Sequence, residues 1–343
     1  MINIQNLIRE NIRQLEAYSS ARDEYKGGDG ILLDANENPF GEENRYPDPY
    51  QKVLKQKISD LKEVPTQSIF IGNGSDEVID LIFRLFCKPG KDKALTFSPT
   101  YGMYDVSANI NDIELIKIPL ETDFTINLQN TSSKLNDPNL KLIFICSPNN
   151  PTGNSFNKAS IEFILNSFKG IVVIDEAYID FSENESWLKE LNNYSNLIVI
   201  QTFSKAWGLA NSRIGMAFCS TEIITYLNKI KPPYNISGAN QISALNCINN
   251  KMFYHLNLLT IKCQKIEVES ALNKLPYVEK VYPSDTNFLL VKVKDATSIY
   301  NQLVESKIII RNRNSIIRNC IRITIGTKDQ NEKLIRTLKK IKL

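Results

Sequence analysis

"LIVIQTFSKAWGLANSRIG", residues 197–215, places Lys205 just beyond an apolar run of strand length and Arg213 eight residues further on. An apolar run that is continuous rather than alternating belongs to a strand buried on both faces. Lys205 therefore leaves the end of a buried strand, as either a solvated loop residue or a nucleophile. Four other short runs end in the same manner. "SIFIG" (68–72) leads into "NGSDE", "KALTF" (93–97) into "SPTYG", "LKLIFIC" (140–146) into "SPNNPTG", and "GIVVID" (170–175) into "EAY". After the first of them, Val78, Ile79, Ile82, Leu85 and Phe86 recur at helical spacing. The alternation predicts an α/β fold with a mostly parallel central sheet covered by helices. Such sheets bind ligands outside the carboxyl ends of their strands, so five polar clusters are expected on one edge.

The pattern changes at "KPPYNIS" (231–237). A long helical region follows, then short strands in "NFLLVKV" and "CIRITIG", and a last helix whose Leu334, Ile335, Leu338 and Ile341 form a core-facing stripe. This predicts a smaller α+β domain. The expected division is an N-terminal arm over 1–35 that joins the small domain and a dimer contact, a large domain over 36–238, and a small domain over 239–343.

The 343 residues are 42% hydrophobic and 23% charged, enough for a sizeable core, and the net charge of +3 is too small to argue for nucleic acid. The N-terminus lacks an apolar signal core and no 18-residue apolar run occurs, which predicts a cytoplasmic protein without a membrane segment. Six scattered cysteines without C-x-x-C spacing read as reduced thiols, and the single histidine, His255, reads as structural. No metal is expected.

A lysine amine adds to carbonyls when its site keeps it deprotonated, and the commonest biological carbonyl held this way is that of pyridoxal phosphate. That cofactor needs a carboxylate at its pyridine nitrogen. Asp175, ending a buried strand, fits that role or caps a helix. Tyr178 and Asn150 are placed to reach the ring's phenolic oxygen, and Tyr101 to stack on the ring. Gly74, Ser75 and Asp76 open a helix, whose first amides attract phosphate. Thr202 and Ser204 add hydroxyls and Arg213 a guanidinium.

"SPNNPTG", "DEAY" and "TFSKAWGLANSRIG" together resemble the fold-type I aminotransferases that use pyridoxal phosphate. More narrowly, "NIRQLEAYSSAR", "DANENP", "RYPDP", "GNGSDE", "SPTYGMY" and "IRITIGT" are similar to the histidinol-phosphate aminotransferase family over nearly the full length. The resemblance implies transamination between L-histidinol phosphate and 2-oxoglutarate (giving L-glutamate) by a homodimer. It implies that Lys205 carries the cofactor and Asp175 faces its ring nitrogen. Tyr46 would reach the cofactor phosphate of the neighbouring subunit. Arg322 would bind the substrate's acidic group, with Arg311 and Tyr18 near its phosphate, though Arg313 competes with Arg311. Trp207 stands where Phe is usual and Asn211 where Gly is usual. The rival readings are an aromatic amino-acid aminotransferase and a threonine-phosphate decarboxylase.

Overall fold

The computed structural model describes residues 3–18, 25 and 30–342. Seven strands form the large sheet: β1 (Ile69–Asn73), β2 (Lys93–Ser98), β3 (Glu114–Pro119), β4 (Leu140–Cys146), β5 (Ile171–Asp175), β6 (Leu197–Thr202) and β7 (Ile214–Phe218). Their order is β1-β7-β6-β5-β4-β2-β3. β7 alone runs against its neighbours β1 and β6; the other pairings are parallel.

Both faces of this sheet are covered, which is why its strands read as unbroken apolar runs. Along β4, Ile143 and Ile145 join one core with Ile58 and Ile164 from the helices Lys52–Lys62 and Lys158–Ser167. Leu142, Phe144 and Cys146 join the other, with Phe83, Tyr104 and Leu227 from the helices Gly74–Phe86, Met103–Ile110 and Thr221–Ile230. Ile4, Ile8 and Ile12 of the N-terminal segment also enter this second core. The described part of the arm expected to join the small domain thus packs on the large sheet.

β3 and β7 were not anticipated as strands. β3 lies at the sheet edge with much of its length half exposed, so it lacks the continuous apolar signature. β7 follows Arg213 so closely that the polar motif hides it.

A second sheet, wholly antiparallel, has the order β10-β11-β9-β8, formed by β8 (Val278–Val281), β9 (Phe288–Val293), β10 (Arg311–Asn312) and β11 (Cys320–Thr324). Its core takes Ile299 and Leu303 from the helix Ala296–Glu305, Leu334 and Leu338 from Lys328–Leu338, and Val268 and Leu272 from Lys251–Leu272. The long helical region is two helices, Gly238–Asn249 and Lys251–Leu272, separated at Asn250. The first of these places Ala244 and Ile248 in the large-sheet core. Among the described residues no helix is long and apolar enough to cross a membrane.

Candidate active site

β1, β2, β4, β5 and β6 share one direction, so their five polar clusters converge at one edge of the large sheet. Asp175 closes β5 and is only 2% exposed. Its Oδ2 accepts a hydrogen bond from Tyr104 Oη at 2.7 Å, and its Oδ1 accepts the Ala177 amide at 3.1 Å. Burial pushes this carboxyl above the ordinary aspartate range, and these two donors pull it back. The next turn, Ile179–Phe181, has Tyr178 at its N-cap position, so Asp175 is not a helix cap.

Lys205 follows β6 and opens onto the cleft. Its Nζ lies 5.7 Å from the centroid of the Tyr178 ring. Partial removal from water lowers its amine below the ordinary lysine range, and Arg322 pushes the same way while Asp175 and Asp76 oppose. Tyr178 is buried and meets Phe288 edge-on at 5.3 Å. Arg322 lies over the same Phe288 ring, 4.9 Å from its centroid, and donates to Asn150 Oδ1. That bond orients the Asn150 amide, turning its Nδ2 donor the other way.

The cradle for an anion is built by close approach. The helix Gly74–Phe86 starts at Gly74, where φ is +75°, and the Gly74 amide donates to the Arg213 carbonyl at 2.6 Å. The following amides are the ones a helix leaves without internal partners. A Cβ on Gly74 would stand 2.2 Å from Arg213 Nη2, and a Cβ on Gly215 would stand 2.2 Å from the Ser75 amide nitrogen. Thr202 Oγ1 accepts the Ser204 amide at 3.1 Å and lies 3.0 Å from the Ile214 carbonyl, which fixes the loop beside this helix end. The carboxylate of Asp76, a residue expected with the phosphate-binding group, accepts from Tyr101 Oη at 2.9 Å and from Arg213 at 3.1 Å.

Arg311 and Arg322 are cross-strand partners of β10 and β11, yet Arg311 is exposed. Arg313 is the partly buried member, its guanidinium pushed down to about 10 by burial and then by Arg322 and Arg311. Arg313 Nε and Arg322 Nε are buried and have no hydrogen-bond partner among the described residues. Buried donors without partners call for an acceptor. Tyr46 is half exposed and stacks on Tyr234 at 4.4 Å. Tyr18, also exposed, lines a small cleft with Tyr50, Lys229 and Tyr234. Of the motif "NIRQLEAYSSAR", residues 19–22 lie outside the described residues.

Sequence reading did not select Tyr104 or Gly215, and it left Arg313 as a rival of Arg311. Tyr104 stood inside "SPTYGMY" without a signal of its direction, Gly215 without a sign of its neighbour, and Arg313 two residues from a rival. Among the described residues no group of three or more His, Cys, Asp or Glu could hold a metal ion.

These residues fit pyridoxal phosphate. The buried Asp175 carboxylate suits a protonated ring nitrogen, an amine of lowered basicity couples to it, and a glycine-lined helix end with Arg213 suits a phosphate. Fold and site together define a pyridoxal-phosphate-dependent enzyme of the aminotransferase class. The aminotransferase class I and II family matches residues 23–338. The histidinol-phosphate aminotransferase of Flavobacterium psychrophilum is 50% identical over 98% of both chains. Among solved structures, the histidinol-phosphate aminotransferase of Clostridium acetobutylicum superimposes with a TM-score of 0.80 at 26% identity, covering 87% of this chain and 90% of that one. That of Sinorhizobium meliloti, in complex with pyridoxal-5′-phosphate, gives 0.80 at 22% identity over 89% of each. The chain belongs to the class I and II aminotransferases and, within them, to the histidinol-phosphate aminotransferase family.

Proposed function

We propose that the chain transfers an amino group between L-histidinol phosphate and 2-oxoglutarate in histidine biosynthesis, as a cytoplasmic homodimer. The observation that carries the substrate reading is the pair Arg313 and Arg322, whose buried Nε atoms, near Tyr178, have no hydrogen-bond partner among the described residues. Planar guanidinium groups pair bidentately with phosphate or carboxylate oxygens, so one pair serves both substrates in turn. Bound pyridoxal phosphate supplies the electron sink that makes the hydrogen on the substrate's amine-bearing carbon acidic.

The chain's own residues do the rest. Lys205, held below its usual basicity, takes the proton from that carbon and carries it as general base and then general acid. Asp175 holds the ring nitrogen. Asn150 and Tyr178 stand where they would orient the ring's oxygen, and Tyr101 where it would cover the ring. Gly74, Ser75, Thr202, Ser204 and Arg213 would hold the cofactor phosphate, with Asp76 aiming Arg213. Arg322 links both groups of ligands, because the atom it steadies is Asn150 Oδ1.

The test is kcat/KM for histidinol phosphate, histidinol, phenylalanine and phosphothreonine in parallel, with Lys205→Ala as the inactive control. Histidinol phosphate is expected to exceed histidinol and phenylalanine by roughly 10³- to 10⁴-fold, because a substrate lacking the phosphate leaves buried donors unpaired. Comparable turnover of phenylalanine would move the assignment to an aromatic aminotransferase. Carbon dioxide release from phosphothreonine, without transamination of histidinol phosphate, would move it to a decarboxylase.

A further inference from the structure

Tyr104 lies on the helix Met103–Ile110 and is fully buried. Two aromatic neighbours set its direction: its ring stacks on Phe144 at 5.0 Å and meets Tyr101 edge-on at 5.6 Å, and Phe144 is in turn backed by Phe83 at 5.0 Å. The phenol is thereby aimed at Asp175, with Oη 2.7 Å from Oδ2. The other titratable groups facing Asp175 come from separate elements, and besides the Tyr101 and Tyr178 phenols, which burial keeps neutral, they are three. Cys146 is its cross-strand partner on β4, Asp76 comes from the helix Gly74–Phe86, and Lys205 from the loop after β6. Burial pushes the Cys146 thiol well up, so it stays neutral, and Asp76 works against a charge on Asp175.

A carboxylate removed from water reverts to the neutral acid unless donors hold it. Among the described residues its hydrogen-bond donors are the Tyr104 hydroxyl and the Ala177 amide. We infer that Tyr104 is a positioning residue for the transamination chemistry: its hydroxyl locks the Asp175 carboxylate toward the ring nitrogen of the bound cofactor. This rests on the reading of Asp175 as the partner of that nitrogen.

Tyr104→Phe removes the hydroxyl and keeps the ring. Its affinity, as apo-protein, is measured for pyridoxal phosphate and for 1-deazapyridoxal phosphate, which has carbon in place of the ring nitrogen. Wild type is expected to prefer the natural cofactor by about tenfold or more, the scale of a hydrogen bond to a charged group. In Tyr104→Phe that preference collapses toward unity while affinity for the deaza compound stays within about twofold. Losing a donor raises the proton affinity of Asp175, so as pH falls the nitrogen-dependent affinity of the variant is lost at a higher pH than that of wild type. Equal weakening toward both compounds, or no change toward either, overturns the inference. A wild type without preference overturns the Asp175 reading itself, a different failure. Thermal unfolding of the apo-proteins checks that the variant folds. Should it not, 3-fluorotyrosine placed at 104 alone keeps the hydroxyl as a stronger donor and must move the pH profile the opposite way; an unmoved profile overturns the inference.

Discussion

Arg311 and Arg322 on two short neighbouring strands, with Arg313 just past the first, gather three positive charges, but only the last two are drawn partly out of water. Burial, then Arg322 and Arg311, lower the proton affinity of Arg313, and burial lowers that of Arg322, while the Tyr178 phenol acts the other way on both. Such charges are stable only with an anion between them. Arg313→Ala should therefore lower kcat/KM for the phosphorylated substrate by about 100-fold, the worth of one or two charge-assisted hydrogen bonds. Arg311→Ala should change it by less than about threefold, since an exposed cation competes with water. Steady-state kinetics of the two variants side by side decide the matter, and the reverse ranking would return the role to Arg311. Sequence alone left this choice open because the two arginines lie only two residues apart, and nothing local tells that the strand ends at Asn312 and that Arg313 beyond it is the less exposed.

The helix Gly74–Phe86 and the strand β7 meet at a single point of very close approach. Gly215 lies opposite Gly72 on β1 and Thr202 on β6, and it leaves room for the Ser75 amide where any side chain would collide. Gly215→Ala must shift the helix end or the strand, both of them backbone. Overpacking of this kind costs about 1–3 kcal/mol. The expected outcome is a lower unfolding temperature together with weakened cofactor affinity, read by fluorescence titration. Gly102→Ala is the control: a Cβ there meets nothing within 4 Å, so both readings should stay as in wild type. A Gly215→Ala protein that binds cofactor normally would mean that the helix end does not hold the phosphate. The polar motif around "GNGSDE" was legible in the sequence, but the glycine on which its placement depends was not. That glycine belongs to a strand 140 residues away in the chain.

The surface of the whole molecule leaves Ile31, Leu33, Phe40 and Ile242 largely exposed, and Tyr46 shares one open cleft with Ile242. Exposed large apolar side chains are commonly covered by a second subunit and two-fold dimers are the commonest assembly, which is the ground for the homodimer proposed above. Light scattering should give twice the 39.1 kDa chain mass. If Tyr46 serves the site of the neighbouring subunit, mixing Tyr46→Ala with Lys205→Ala protein creates hybrids in which one site has both native residues. Activity of the mixture should then rise above that of either parent; a mixture no more active than its better parent would place Tyr46 within its own subunit's site.

The sequence by itself showed the parallel sheet and its five polar strand ends, and it put forward Lys205, Asp175, Asn150 and Tyr178 as candidates. These depend on local pattern: apolar runs buried on both faces, each broken by residues that no strand needs. It did not determine the edge strand β3, whose exposure removes the pattern, nor the packing of the N-terminal isoleucines on the large sheet. It also could not show that Asp76 serves Arg213 and Tyr101, that Tyr104 reaches Asp175, or that Arg313 rather than Arg311 turns inward. Each of those is a contact between elements distant in the chain. Hydrogen-bond direction and burial there are set by how helices and strands pack, and only the tertiary structure holds that information.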